Sequence, residues 1–161
     1  MLRFSLCKSE FVSMNAPVSP SSPSSSLPER CVVVINSELS AGHAANAAAV
    51  LALTLGQRHP GLVGEPLIDA DARVHPGLIP IGISVLVADS QTLSQLHQTL
   101  LNDDEMDGVI FPVEGQQTTD YAAFRQAVTQ VQTDSLQLLG IALAGNKKVV
   151  RKLTGKLGLL G

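Results

Sequence analysis

Cys31-Val32-Val33-Val34-Ile35, closed by Asn36-Ser37-Glu38 and followed by the chargeless run Ser40 to Gln57, is the stretch on which the fold turns. The first five residues form a short, mostly β-branched run, as expected of a strand covered on both faces. The run that follows contains Ala44, Ala45, Ala47, Ala48, Ala49, Val50, Leu51, Leu53 and Leu55. It is too long for a strand and built from strong helix formers, so it reads as a buried helix. A membrane span is the competing reading. The stretch is short and alanine-heavy and carries His43 and Asn46, which argues against a span.

Outward from this strand and helix, the same alternation continues. His59 to Leu78 is punctuated by Gly and Pro and has room for a brief hairpin. Ile79 to Ala88 reads as a strand in which Ile81, Ile83, Val85 and Val87 alternate with Gly82, Ser84, Leu86 and Ala88. Asp89 or Ser90 caps a helix whose Leu93, Leu96 and Leu100 share one face. Val109-Ile110-Phe111 makes a strand stopped by Pro112, and Thr119-Asp120 opens a helix bearing Tyr121, Phe124, Val128 and Val131. Leu138 to Ala144 is the last strand, with Leu139, Ile141 and Leu143 opposite Gly140, Ala142 and Ala144. A short helix, Lys147 to Leu153, ends at Thr154-Gly155. Alternating strands and helices predict an α/β three-layer sandwich: a four-stranded, mostly parallel sheet, with a mixed one as the variant, and helices on both faces. The small-residue strand faces are where the Ala-rich helix is expected to pack.

Before this domain, Asn15 to Pro28 is almost wholly Ser, Pro and Ala, which buries too little apolar surface to offset its ordering entropy. The organisation expected is a disordered tail over 1–29 and a single α/β domain over 30–161. The apolar start, Met1 to Lys8, is broken by Lys8 and Glu10 too soon for a secretory segment. A transit peptide is the lesser reading, and initiation at Met14 would remove the question.

Of 161 residues, 45% are hydrophobic, 16% charged and 3% aromatic, with no Trp. The core must therefore be aliphatic and alanine-rich. A net charge of -3 excludes a generally basic nucleic-acid binder and leaves only a local basic patch. Cys7 and Cys31 read as reduced thiols with no zinc-type spacing, which suits the cytoplasm. No cofactor is implied.

Several segments resemble type II peptidyl-tRNA hydrolases. Val32 to Asn46 is similar to that family's opening strand, glycine turn and Ala-Ala-Gln helix. Val85-Leu86-Val87-Ala88-Asp89-Ser90 looks like its second strand and helix start. Gly140 to Gly145, with Val149-Val150-Arg151-Lys152-Leu153-Thr154-Gly155-Lys156-Leu157, looks like its closing strand and Val-Thr-Gly tail. The family's catalytic lysine is replaced by His43 after Gly42, its glutamine by Asn46 and its histidine by Ala49. Glu114 and Thr118 stand one residue away from the acid and threonine of its Asp-Ala-Gly-x-Thr loop. In these departures the chain is similar to a sister family of unknown function sharing that fold.

The resemblance implies a catalytic set of His43, Glu114 and Thr118, and a ligand-binding set of Asn36, Gly42, Asn46, Gln117 and Thr119. Helix N-termini beyond the carboxyl ends of strands favour a small anionic or phosphate-bearing ligand. If the first and third strands are parallel and adjacent, the two polar clusters converge. Asn46, an amide inside an apolar helix, is expected to be either tied to a neighbouring loop or turned to a ligand. His43 is the group near this junction suited to act as a general base.

Asp69, Asp71, His59 and His75 match no defined metal-ligand spacing. Lys147, Lys148, Arg151, Lys152 and Lys156 are five of eleven Lys and Arg residues, and the first four make one charged helix face. That face is either solvated or contacts phosphates. The leading reading is thus a ligand-binding protein. A peptidyl-tRNA hydrolase acting on tRNA, or a homodimeric scaffold packed through the Ala-rich helix, are the alternatives. No membrane partner is expected.

Overall fold

The computed structural model describes residues 27–161, so residues 1–26 of the expected tail, Cys7 among them, lie outside the described residues, whereas Pro28 is buried and the Glu29 N–H donates to the Gly145 carbonyl at 3.1 Å. The deciding stretch folds as β1 (Arg30–Asn36) and α1 (Ala41–Arg58). A small ribbon of β2 (Leu67–Ile68) and β3 (Val74–His75) follows, then β4 (Ile83–Ala88) and α2 (Ser90–Leu101). After them come β5 (Asp107–Pro112), the one-turn α3 (Glu114–Gln117) and α4 (Tyr121–Val128). The chain closes with β6 (Leu138–Gly145), α5 (Lys147–Thr154) and β7 (Gly158–Leu159).

The main sheet has five strands in the order β5-β6-β1-β4-β7, and it is mixed. Only β1 and β4 pair in parallel, with Val33 opposite Val85. The remaining pairs, β1–β6, β5–β6 and β4–β7, are antiparallel. The mostly parallel, four-stranded expectation is corrected here, and the reason lies in the connections. A parallel return needs a crossover helix packed on the sheet face. Between β5 and β6 the helices α3 and α4 pack mainly on each other. The chain therefore turns back beyond the sheet end. From α5 to β7 only three residues intervene, and β7 comes back against β4.

Helices cover both faces, as the alternation required. On one face α1 sets Ala44, Ala47, Leu51 and Leu55 against Cys31, Val33 and Ile35 of β1 and Ala142 and Ala144 of β6. On the other, Leu93 and Leu96 of α2 and Val150 of α5 meet Val32, Val34, Ile141 and Leu143. The small face of β6 receives α1 as expected. At β4 the assignment is reversed: the larger Val85 faces α1, and Ala88 lies on the α2 side. At Gly140 a Cβ atom would lie 2.8 Å from the Val34 carbonyl oxygen and 3.0 Å from Leu51 Cδ1, so its bare backbone lets α1 approach. Asp89 caps α2 by accepting the Thr92 N–H at 2.7 Å, and these backbone donors hold its carboxyl below the usual range.

Candidate functional site

Because β1 and β5 are each antiparallel to β6, they point the same way, but β6 lies between them. The polar clusters at their carboxyl ends share one end of the sheet at about two strand spacings, roughly 10 Å. They are not adjacent, as convergence required. Asn36 ends β1 and is 9% exposed. Its Nδ2 donates to the Leu138 carbonyl at 3.3 Å and the Ser90 hydroxyl at 3.2 Å, while its Oδ1 accepts the Glu38 N–H at 3.0 Å. The amide ties β1 to β6 and α2, and its hydrogen bonds belong to the fold.

Helix α1 is apolar on both sides, but only one side is buried. His43, Ala45, Asn46, Ala49, Val50 and Leu53 are all exposed. The expectation that Asn46 is a buried amide is thereby corrected: alanines tolerate water, and the buried face needs only every third or fourth residue. His43 Nδ1 lies 3.2 Å from the Ser40 hydroxyl in the first, exposed turn. Gly42 has open space where a Cβ would stand.

The seam between α1 and β5 runs antiparallel. At one end the Arg58 guanidinium clasps Asp107, with Nε donating to both carboxylate oxygens at 3.0 and 2.8 Å and Nη2 to Oδ1 at 2.6 Å. His59 Nε2 is 2.8 Å from the same carboxylate. Burial raises the Asp107 carboxyl, but the Arg58 and His59 contacts outweigh it and hold the group below its usual range. The Arg58 guanidinium is correspondingly pushed up by its hydrogen bond to Asp107.

Farther along, the seam opens into a groove of about 400 Å³. Val50, Val109, Phe111 and Phe124 give it apolar walls, and Thr54, Thr118, Thr119, Asp120 and Tyr121 give it polar groups. The Thr118 hydroxyl donates to the Glu114 carbonyl at 3.0 Å, and Asp120 caps α4 by accepting the Ala123 N–H at 2.8 Å. Gly115 touches the Phe111 ring so closely that a Cβ there would displace it. Glu114 precedes it, and its Oε2 is out of contact with solvent and accepts no hydrogen bond among the described residues. No lysine or arginine lines the groove.

Of the expected set, then, Thr118 and Thr119 line one groove, and Glu114 adjoins it through Gly115. Gln117 is exposed on α3. Asn46 and His43 sit farther along α1, about 6 and 10 Å beyond Val50 at helical rise. Val50, Thr54, Tyr121 and Phe124 were not singled out from sequence. Their signal was a Val and a Tyr-x-x-Phe pair on helix faces that nothing else covers.

Elsewhere, Asp69 and His75 meet at 2.9 Å, whereas His59 is taken by Asp107. Among the described residues no cluster of three metal-ligand types exists. No described helix is long and apolar enough to cross a membrane. The five basic residues of the α5 region are exposed, on the opposite side of the sheet from the groove.

A family model described as "Protein of unknown function (DUF2000)" matches residues 29–161. The chain belongs to the DUF2000 family. Among solved structures it is similar to the protein of unknown function Atu0240 from Agrobacterium tumefaciens strain C58. That similarity has 26% identity and a TM-score of 0.74, and covers 82% of this chain and 97% of that one. Among curated proteins none matches. The DUF2000 assignment and its structural neighbour leave the chemistry to be argued from the groove, since neither description names peptidyl-tRNA.

Proposed function

We propose that this DUF2000 protein binds a small ligand, with an apolar body and at least one hydrogen-bond donor, in the groove between α1 and the β5–α4 segment. The carrying observation is the groove itself: apolar walls with a few hydroxyls and a carboxylate at the rim are the usual composition of a small-molecule site. The Asp120 carboxylate at the rim supports a donor on the ligand, since a carboxylate accepts strong, charge-assisted hydrogen bonds. A phosphate-bearing ligand is less well served, since hydroxyls and the Asp120 carboxylate, with no lysine or arginine, would face its charge. We also place the protein in the cytosol, on the ground that Cys31 is a free, buried thiol.

The test is a fragment screen on the ¹⁵N-labelled chain, read by amide shifts. Binders should move Val109, Phe111, Thr118 and Thr119, and Val50→Trp, which fills the groove from an exposed helix position, should abolish them. Binders that persist in Val50→Trp, or that move none of these amides, would refute the site.

A hydrolytic reading is favoured by one observation, the placing of Thr118 in the groove beside the Glu114 segment. It requires His43, Glu114 and Thr118 to act without a cation at the developing oxyanion, a lack that commonly costs roughly 10²–10³ in rate. Peptidyl-tRNA cleavage is accordingly expected far below an ordinary turnover of about 10 s⁻¹.

A further inference from the structure

The groove between α1 and the β5–α4 segment gathers every Phe and Tyr ring of the described residues. The sequence holds four Phe and one Tyr. Phe4 and Phe11 lie outside the described residues, and the other three, Phe111, Tyr121 and Phe124, all line this one opening. None of them is a fully buried core residue, so each keeps ring surface outside the core. Tyr121 is 74% exposed, and its ring meets that of Phe124 edge to face, with centroids 6.0 Å apart and planes at 62°. In such a pair one ring covers only part of the other, and open π faces remain for a third group.

The charge at the rim is of one sign. Asp120 is the single charged residue of the lining. Its Oδ1 accepts the Ala123 N–H at 2.8 Å, which fixes the carboxylate at the start of α4, and its Oδ2 has no partner among the described residues. Of the two arginines on the bordering helices, Arg58 is held by Asp107 at the other end of the seam, and Arg125 is exposed and does not line the groove. The face of an aromatic ring is negative, and so is a carboxylate. Both attract a cation and repel an anion, while the walls of Val50, Leu51 and Val109 suit an apolar body beside it.

We infer that the ligand of this groove is an organic cation, a small amine or quaternary ammonium on an apolar body. The inference rests on the groove being a ligand site, and it adds the sign of the ligand's charge. An exposed ion pair and an exposed cation–π contact each contribute about threefold in affinity, so a cation should bind about tenfold more tightly than a neutral molecule of the same shape. A neutral donor would use the carboxylate but gain nothing from the rings' charge. An anion would be opposed by both.

Amide shifts of the ¹⁵N-labelled full chain, titrated at neutral pH with phenethylamine, phenethyl alcohol and hydrocinnamate, test this. The three probes share one phenethyl body and differ in the charge of the end group. Phenethylammonium should move the amides of Thr118, Thr119, Tyr121 and Phe124 with an affinity about tenfold above that of the alcohol. Hydrocinnamate should leave them in place. Asp120→Asn removes the charge and keeps the helix cap, since asparagine caps as well as aspartate. It should cut the preference to about threefold with an unchanged far-UV spectrum, and Tyr121→Leu, at an exposed position, should do likewise. Equal affinity for amine and alcohol at these amides overturns the cation and leaves the groove as a ligand site. No movement of these amides by the amine also overturns the inference, and the wider fragment screen then judges the groove separately. A tenfold preference that survives both substitutions overturns it too, because the selecting groups would lie elsewhere.

Discussion

The two ends of the α1–β5 seam use the same helix and the same strand and come to opposite results. At the Arg58 end three polar side chains satisfy one another: Asp107 is clasped by Arg58 and touched by His59. At the Val50 end there is no such clasp. The gap between helix and strand is bordered by Thr118, Thr119 and Tyr121, and Glu114 keeps an acceptor unpartnered. At the open end the side chains of helix and strand leave about 400 Å³ unfilled. A groove held open by packing elsewhere can receive a ligand at little structural cost.

The largest expected effect comes from removing what both ends share. Leu51 is buried under the seam and also forms part of the groove floor. Leu51→Ala should cost about 3 kcal/mol by chemical denaturation, the usual range for a buried leucine being 2–5. A loss under 1 kcal/mol would mean that the seam collapses into the space and that the groove is not held open by the core.

Breaking the closed end should cost less. Asp107→Asn should lower stability by about 2 kcal/mol at neutral pH, within the range of hydrogen bonds to charged groups. The sign of the pH effect follows from the depressed Asp107 carboxyl. Its contribution is present above the unfolded value near ~3.9 and is lost as pH falls through the lower, folded value. Wild type should therefore lose this increment on acidification while Asp107→Asn does not, and equal acid sensitivity in the two proteins would break the comparison.

At the open end, Gly115→Ala should push the Phe111 ring into the groove. The expected cost in stability is about 1 kcal/mol, from overpacking at a half-buried site, together with loss of fragment binding. Retained binding would show that the ring moves away from the groove rather than into it. The smallest effect is expected beyond the groove. Asn46→Leu should change stability by less than ~0.5 kcal/mol, because the amide is exposed. A drop of 1–3 kcal/mol would make it a structural tie after all.

The two asparagines show how far the site was legible. Both sit in apolar stretches close in sequence, and side-chain chemistry alone gives them the same options. The structure separates them by position: Asn36 lies at a strand end where three elements meet, whereas Asn46 lies on the water-facing side of a helix whose alanines conceal which side that is. The threonines were legible for a different reason. Thr118 and Thr119 follow a strand stop and precede a capped helix, and segments of that kind lie beyond strand ends, where sites form.

From the sequence alone came the elements and their order: the β-branched run of β1, the long alanine helix, the Leu stripe of α2, the small face of β6 and the amphipathic α5. These are local properties, set by side-chain periodicity and by caps within a few residues. Strand direction, the fifth strand, the exposed side of α1 and the groove were decided only in three dimensions. Each depends on which surfaces meet across long sequence separations, as Arg58 meets Asp107 and Val50 faces Phe111. Short-range pattern carries no record of such meetings, because the same alternation of strand and helix is compatible with a parallel or a mixed sheet until the crossovers find, or fail to find, a face to pack on.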